Sequence, residues 1–63
     1  MLNIENVKNA DVLLSVINTA LRDEYPTLSD LIYGEDLDFS SVQKILNDGG
    51  YFYDENLNRF VLR

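Results

Sequence analysis

The segment from Ala10 to Glu24 predicts a helix whose apolar surface is too wide to be covered from one side. Its apolar side chains spread over roughly 200° of the helix, whereas the apolar stripe of a surface helix is usually little wider than ~100°. These side chains are Ala10, Val12, Leu13, Leu14, Val16, Ile17, Ala20 and Leu21. We therefore expect this helix to be covered on two sides, by the rest of the domain or by the domain together with another chain.

Two shorter helices follow in the predicted order of elements. Thr27 can cap a helix over residues 27–33, because an aspartate stands three positions later, as in a capping box. Asp38 can cap a third helix over residues 39–48, and Gly49 is expected to provide the left-handed residue that ends it. The inward face of the third helix is predicted to consist of Phe39, Val42, Ile45 and Leu46.

The end of the chain has the residue types of a β-hairpin over residues 51–62. Two aromatic and β-branched runs are separated there by about five residues that favour turns. Residues 1–8 have no clear period and are expected to form an extended arm. The 63 residues therefore predict a single small domain of the α+β class, mostly helical, with three helices plus a C-terminal β-hairpin. This order is winged helix-turn-helix-like, which is an analogy of fold and not of function.

The residue types that most often carry catalysis or bind zinc are missing. The chain has no histidine and no cysteine, so the usual acid–base group at neutral pH and the usual zinc ligands are absent. Its acidic pairs lie at predicted helix ends and turns, where carboxylates cap helices or are solvated. We therefore predict a protein that is not an enzyme and that has no metal ion or cofactor.

A cytoplasmic location is expected from two further features. Apolar runs such as Val12–Leu14 are far too short to span a bilayer. The first residues also lack the basic and apolar regions of a signal peptide. We therefore expect no contact with a membrane.

Two stretches of this sequence together resemble a known family. The first is the helical segment LLSVIN…LRDEY at residues 13–25, and the second is the hairpin segment GYFYD…LNRF at residues 50–60. They resemble a family of short, uncharacterised bacterial proteins that is classified as a domain of unknown function. The resemblance extends from Val12 to Phe60. It implies a small cytoplasmic protein and carries over no activity and no catalytic residues.

The surface left over by the predicted core favours an interaction role. Asn18 and Arg22 lie on a polar stripe of the first helix that is either solvated or hydrogen-bonded to the hairpin or to a partner. Three short helices cannot bury both faces of the hairpin, and tyrosine is favoured at interfaces. The candidate interaction surface consists of Val12, Val16, Asn18, Arg22, Tyr51 and Tyr53. We predict an acidic, non-enzymatic protein–protein interaction or self-associating module, with another protein or a second copy in a homodimer as its partner.

A winged-helix-like nucleic-acid-binding regulator is the alternative. The third helix and the hairpin would then contact nucleic acid through Gln43, Lys44, Asn47, Arg59 and Arg63. The formal net charge of −6 weighs against this function, because a polyanion is bound largely through basic side chains. Convergence of the three cations on one surface would support it.

Overall fold

Three helices precede an antiparallel two-stranded hairpin in the computed structural model, which describes residues 7–63. The elements are α1 (Ala10–Asp23), α2 (Leu28–Gly34), α3 (Phe39–Asp48), β1 (Tyr51–Asp54) and β2 (Arg59–Leu62). The predicted α+β class is confirmed. Most of the predicted extended arm, residues 1–8, lies outside the described residues. No helix within residues 7–63 combines the length and the apolarity needed to cross a bilayer.

Each helix begins at a polar side chain that accepts hydrogen bonds from its first turn. Asn9 caps α1, and its Oδ1 accepts from two backbone N–H groups at 2.9 and 3.1 Å. Thr27 Oγ1 accepts from the Asp30 N–H at 3.1 Å, and Asp38 Oδ1 accepts from the Ser40 N–H at 3.2 Å. The structure thus has the caps predicted for α2 and α3, and each typically stabilises a helix by about 1 kcal/mol.

The turn from α3 into β1 depends on Gly50. Its φ is 91°, in the region that residues with a β-carbon rarely adopt. Gly49, in contrast, has a φ of −84° and keeps the right-handed conformation, and its N–H still bonds to the Ile45 C=O at 3.2 Å. The expectation that Gly49 is the left-handed residue is therefore wrong by one position, because helical hydrogen bonding continues through it.

The core forms where α1 meets the other elements. Leu13 and Ile17 of α1, Leu31 of α2 and Leu46 of α3 are fully buried, and Phe60 of β2 is 3% exposed. α1 contacts α2, α3 and β2. Several elements therefore cover its wide apolar arc, except at Val12, which is 51% exposed.

Asn18 joins α1 to the outer edge of β2. Its side-chain nitrogen donates to the Phe60 C=O at 3.0 Å, and its Oδ1 accepts from the Phe60 N–H at 2.8 Å. Both backbone groups of Phe60 therefore point away from β1, and the Asn18 side chain takes the place of a third strand. Of the two roles predicted for Asn18, the structure has the hydrogen bond to the hairpin.

Asn58 makes a second connection, from the hairpin turn to the end of α1. Its side-chain nitrogen donates to the C=O groups of Leu21 and Tyr25 at 3.2 and 3.0 Å, and its Oδ1 accepts from the Tyr53 hydroxyl at 2.6 Å. The Leu21 carbonyl is among the last four of α1, which have no partner inside the helix. Asn58 has a φ of 52°, which asparagine tolerates better than most residues. One residue therefore turns the hairpin and caps the helix.

The hairpin has an inward and an outward face. Tyr53 lies opposite Phe60 and Phe52 lies opposite Val61, and cross-strand partners share a face. Tyr53 and Phe60 lie inward with their ring centroids 5.5 Å apart, and Tyr51 also packs on the core. Phe52 and Val61 consequently lie outward. The tyrosine face, which we considered as a contact surface, is the one that packs on the helices.

A hydrogen bond from the Tyr25 hydroxyl to the Glu35 carboxylate holds the end of α2 against the segment that leaves α1. Gly34 permits this approach, because a β-carbon there would lie 2.7 Å from Tyr25 Cε1. Glu35 is 8% exposed. The hydrogen bond to the carboxylate, followed by desolvation, raises the pKa of Tyr25 to about 12.

We expect Asn18→Ala to lower the free energy of unfolding by about 2–4 kcal/mol, because it leaves two buried backbone groups of Phe60 without partners. Urea unfolding followed by circular dichroism measures the change. Thr19→Ala, at an exposed position of the same helix, is the control and should alter stability by no more than about 0.5 kcal/mol. Equal stability of the two variants would contradict the role given to Asn18.

We expect the free energy of unfolding to fall as the pH rises from about 10 to about 12. The pKa of Tyr25 is about 12 in the folded chain and ~10 in an unfolded chain. The stabilisation by the protonated Tyr25 hydroxyl is therefore complete below pH ~10 and is lost as the pH rises through about 12. Urea unfolding at several alkaline pH values tests this dependence.

The matched variants are Tyr25→Phe and Tyr33→Phe. The first should reduce the alkaline loss of stability without abolishing it, because the hydrogen bond to Asp11 also raises the pKa of Tyr51. The second removes an exposed hydroxyl and should leave the loss unchanged. Identical pH dependence of the wild type and Tyr25→Phe would refute the assignment.

Candidate functional site

An open groove lies between α2, the first turn of α3 and the end of β1. Its volume is about 700 Å³, and it opens to solvent along one side of the domain. We call it the α2–α3 groove. Its apolar lining consists of Pro26, Leu28, Ile32, Tyr33, Leu37, Phe39 and Tyr53, and its charged residues are Asp38 and Glu55.

The shortness of α2 leaves most of its apolar side chains at this groove. Only Leu31 of this seven-residue helix is fully buried. Leu28 and Ile32 are four positions apart, lie on one face and are half-buried at the groove, while Tyr33 is 85% exposed. A helix of two turns cannot turn the three consecutive bulky side chains at residues 31–33 and Leu28 toward one core. That crowding is the sequence signal from which the groove could have been predicted.

Phe39 forms the border of the groove on α3. It is the first residue of the helix, directly after the cap Asp38, and its side chain is 41% exposed. The prediction that Phe39 faces inward with Val42 and Leu46 is therefore wrong, although both of those residues are buried. The first turn of α3 extends past the core cluster, which does not include Phe39, so helical periodicity overestimates its burial.

The charged groups of the groove are carboxylates. Asp38 and Glu55 line it, and none of the lysines and arginines within residues 7–63 does. Asp38 is held in place by its cap and by Ser41, whose hydroxyl donates to Asp38 Oδ2 at 2.9 Å. Glu55 is exposed in the hairpin turn. The groove therefore combines apolar walls with a negative edge.

The residues that we predict as an interaction surface lie in different surroundings, and their role in binding stays a prediction. Asn18 is engaged with the backbone of Phe60. The Arg22 guanidinium donates from Nε and Nη2 to the Asp23 carboxylate at 2.8 and 2.9 Å, and these hydrogen bonds lower the pKa of Asp23. Arg22 is thus paired on the surface of α1 and does not reach the hairpin backbone.

The apolar and aromatic members of that set are also dispersed. Val12 is 51% exposed near the start of α1 and Val16 is half-buried. The Tyr51 hydroxyl donates to Asp11 Oδ1 at 2.7 Å. Of the six predicted residues, Tyr53 is the one that lines the groove.

The α3 residues of the nucleic-acid hypothesis carry one cation, which is paired. Gln43 and Lys44 are exposed and Asn47 is half-buried. Lys44 Nζ donates to Asp48 Oδ2 at 3.1 Å on the same helix. The Asp48 carboxylate, one turn away on α3, therefore offsets the positive charge of Lys44.

The hairpin residues of that hypothesis also lie beside a carboxylate. Arg63 Nη2 is 4.0 Å from Asp54 Oδ2, and Asp54 is the direct cross-strand partner of Arg59. Arg59 also lines a polar cleft on the other side of the domain together with Arg22. Lys44 and Arg63 each have a carboxylate within 4.0 Å, and Arg59 lies across the ladder from Asp54. The two arginines therefore share one acidic neighbour.

The described part of the chain has no group of three or more metal-ligating side chains. Its hydrogen-bonded carboxylates cap helices, bind tyrosine hydroxyls, pair with basic side chains or shape turns. Asp54 shapes a turn by accepting from the Asn56 and Leu57 N–H groups at 2.9 and 3.1 Å. Over residues 7–63, no buried side-chain polar atom lacks a hydrogen-bond partner.

Comparison with known proteins identifies one family. The family described as "Domain of unknown function (DUF4250)" matches residues 7–60. Neither the curated proteins nor the solved structures contain a match. The resemblance to a family of unknown function is confirmed by this match, whereas the resemblance to a winged helix-turn-helix stays a prediction.

We expect no salt-sensitive binding to mixed-sequence DNA, because Lys44 and Arg63 lie beside carboxylates and the formal net charge is −6. An electrophoretic mobility shift assay at low ionic strength measures this. Binding that is lost in Lys44→Glu or Arg59→Glu, but kept in Lys8→Glu at an exposed position outside the candidate contacts, would contradict the expectation and support the nucleic-acid hypothesis.

Proposed function

The chain belongs to the family of the domain of unknown function DUF4250, and we propose that it acts as a non-enzymatic protein-interaction module. In this proposal a short segment of a partner protein docks in the α2–α3 groove. The observation that carries the proposal is the pair of exposed aromatic rings at the groove, Tyr33 at 85% and Phe39 at 41% exposure. A domain of this size has few large apolar side chains, and exposed apolar patches bordered by polar residues are typical of interaction sites.

The chemistry of the groove supports binding rather than catalysis. Its polar groups are mainly helix caps and hydroxyls, since Asp38 caps α3 and Thr27 caps α2. The chain has no histidine or cysteine to act as an acid–base group or as a nucleophile. Its lining residues can supply apolar contact, aromatic edges and carboxylate acceptors.

The shape of the groove favours a peptide segment over a small molecule. Sites for small molecules usually enclose most of the ligand surface, whereas this groove is open to solvent. An amphipathic segment placed in an open groove can leave its polar side in water. Two or three apolar side chains buried there would give a dissociation constant on the order of 1–100 μM after the cost of ordering the segment.

A selection from displayed random peptides of about 12 residues, three turns if helical, tests the proposal. We expect the wild-type domain to enrich peptides that bind with about 10-fold lower affinity when the rim aromatics are removed in Tyr33→Ala/Phe39→Ala. Fluorescence anisotropy with labelled peptides measures the affinities. Circular dichroism establishes that the variant is folded.

The matched control is Leu57→Ala/Leu62→Ala. It removes two exposed apolar side chains that do not line the groove, and it should bind the enriched peptides like the wild type. Peptides that bind all three proteins equally, or the absence of any enriched peptide, would refute the proposal.

A second copy of the chain is the other candidate partner for the groove. Sedimentation at increasing protein concentration would show a rising mass if the domain self-associates. A rise that Tyr33→Ala/Phe39→Ala abolishes would assign the groove to a homodimer. A constant monomer mass would assign it to a different protein.

A further inference from the structure

The charges that face the α2–α3 groove have one sign. Asp38 and Glu55 line it, and none of the five lysines and arginines of the sequence does within the described residues. The cations of the hairpin and of α3 are located elsewhere, beside Asp54 and Asp48. A ligand in the groove therefore meets carboxylates without meeting a competing cation.

The partial positive charges of the helix N-termini at the groove offset the negative charge of these carboxylates only in part. The N-termini of α2 and α3 both border the groove, and each carries a partial charge of about +0.5. Two carboxylates therefore leave a net local charge of about −1. The formal net charge of the whole chain, −6, adds a long-range field of the same sign.

From this complementarity we infer that the groove binds a basic amphipathic segment of another protein. Its apolar side chains contact Leu28, Ile32 and Phe39, and lysine or arginine side chains next to them pair with Asp38 and Glu55. The inference rests on the proposed function and names the chemistry of the partner. A second copy fits less well, because two chains of net charge −6 repel each other.

The two carboxylates can be neutralised without loss of the fold. Asparagine caps helices about as well as aspartate, so Asp38→Asn keeps the cap of α3 while removing one charge. Glu55 lies exposed in the turn and makes no hydrogen bond through its side chain to the described residues, so Glu55→Gln removes the second charge at little cost. Neither change alters the apolar lining.

A charge-matched control exists on the rest of the surface. Glu24 and Asp48 are exposed and do not line the groove. The variant Glu24→Gln/Asp48→Asn changes the net charge of the chain by the same amount as Asp38→Asn/Glu55→Gln. A difference between the two variants therefore reports the local charges of the groove and not the total charge.

The experiment uses the displayed peptides whose binding depends on Tyr33 and Phe39. We expect these peptides to combine apolar residues with lysine or arginine. One such peptide is synthesised with a twin in which every lysine and arginine is replaced by glutamine. The wild type should bind the basic peptide about 3- to 30-fold more tightly than the twin at low salt.

Salt and the variants then separate the outcomes. The preference for the basic peptide should nearly vanish at ~1 M salt and in Asp38→Asn/Glu55→Gln, and it should persist in Glu24→Gln/Asp48→Asn. Groove-dependent peptides without basic residues, or an unchanged preference in Asp38→Asn/Glu55→Gln, would overturn the inference while leaving the proposed function standing. If no peptide depends on Tyr33 and Phe39 for binding, the proposed function itself is refuted. If the domain forms a homodimer through the groove, the partner is a second copy of the chain and not a basic segment.

Discussion

The arrangement of this domain depends on the paired hydrogen bonds between the Asn18 side chain and the backbone of Phe60. A two-stranded hairpin alone is marginally stable in water, and its strand edges leave N–H and C=O groups unpaired. Asn18 satisfies both groups of Phe60 and fixes the hairpin against α1. Asn58 adds the connection from the turn to the end of α1 and also accepts the Tyr53 hydroxyl. Tyr53, which forms one wall of the groove, is thus positioned by two side-chain amides, those of Asn18 on α1 and Asn58 in the hairpin turn.

The groove follows from how little chain is available to cover the short helix α2. Leu31 is the fully buried residue of α2, and the hydrogen bond between Tyr25 and Glu35 holds the end of the helix in place. The neighbouring apolar side chains are left at the surface, with Tyr33 exposed. A larger domain could bury them under another element, but small domains bury a smaller share of their surface. In this domain part of the apolar remainder, including Tyr33 and Phe39, is gathered at the groove, which is the physical basis of the proposed binding role.

The same carboxylates serve the fold and the charge of the surface. Asp38 caps α3 and also faces the groove, and Asp11 lies in the first turn of α1 while it accepts the Tyr51 hydroxyl. Placing acids at helix N-termini satisfies N–H groups and interacts favourably with the helix dipole. It also concentrates negative charge where two helices begin side by side. The negative edge of the groove is therefore partly a consequence of how α3 is capped.

Local signals in the sequence determined the helices, their caps and the hairpin, because periodicity, capping side chains and turn residues act over a few neighbouring positions. Thr27 and Asp38 are predicted as caps for that reason. The left-handed conformation is predicted for Gly49 and occurs at Gly50, because either glycine of the pair satisfies the same local rule. The long-range choices were decided by the tertiary structure. Which hairpin face turns inward, whether Asn18 meets solvent or Phe60, and whether Phe39 is covered all depend on where distant elements pack. The crowding in α2 indicates that some of its apolar side chains stay exposed, but no local pattern could assign Tyr51 to the core side and Tyr33 to the groove. Tyrosine is found in both environments, and only the limited supply of covering chain separates the two residues.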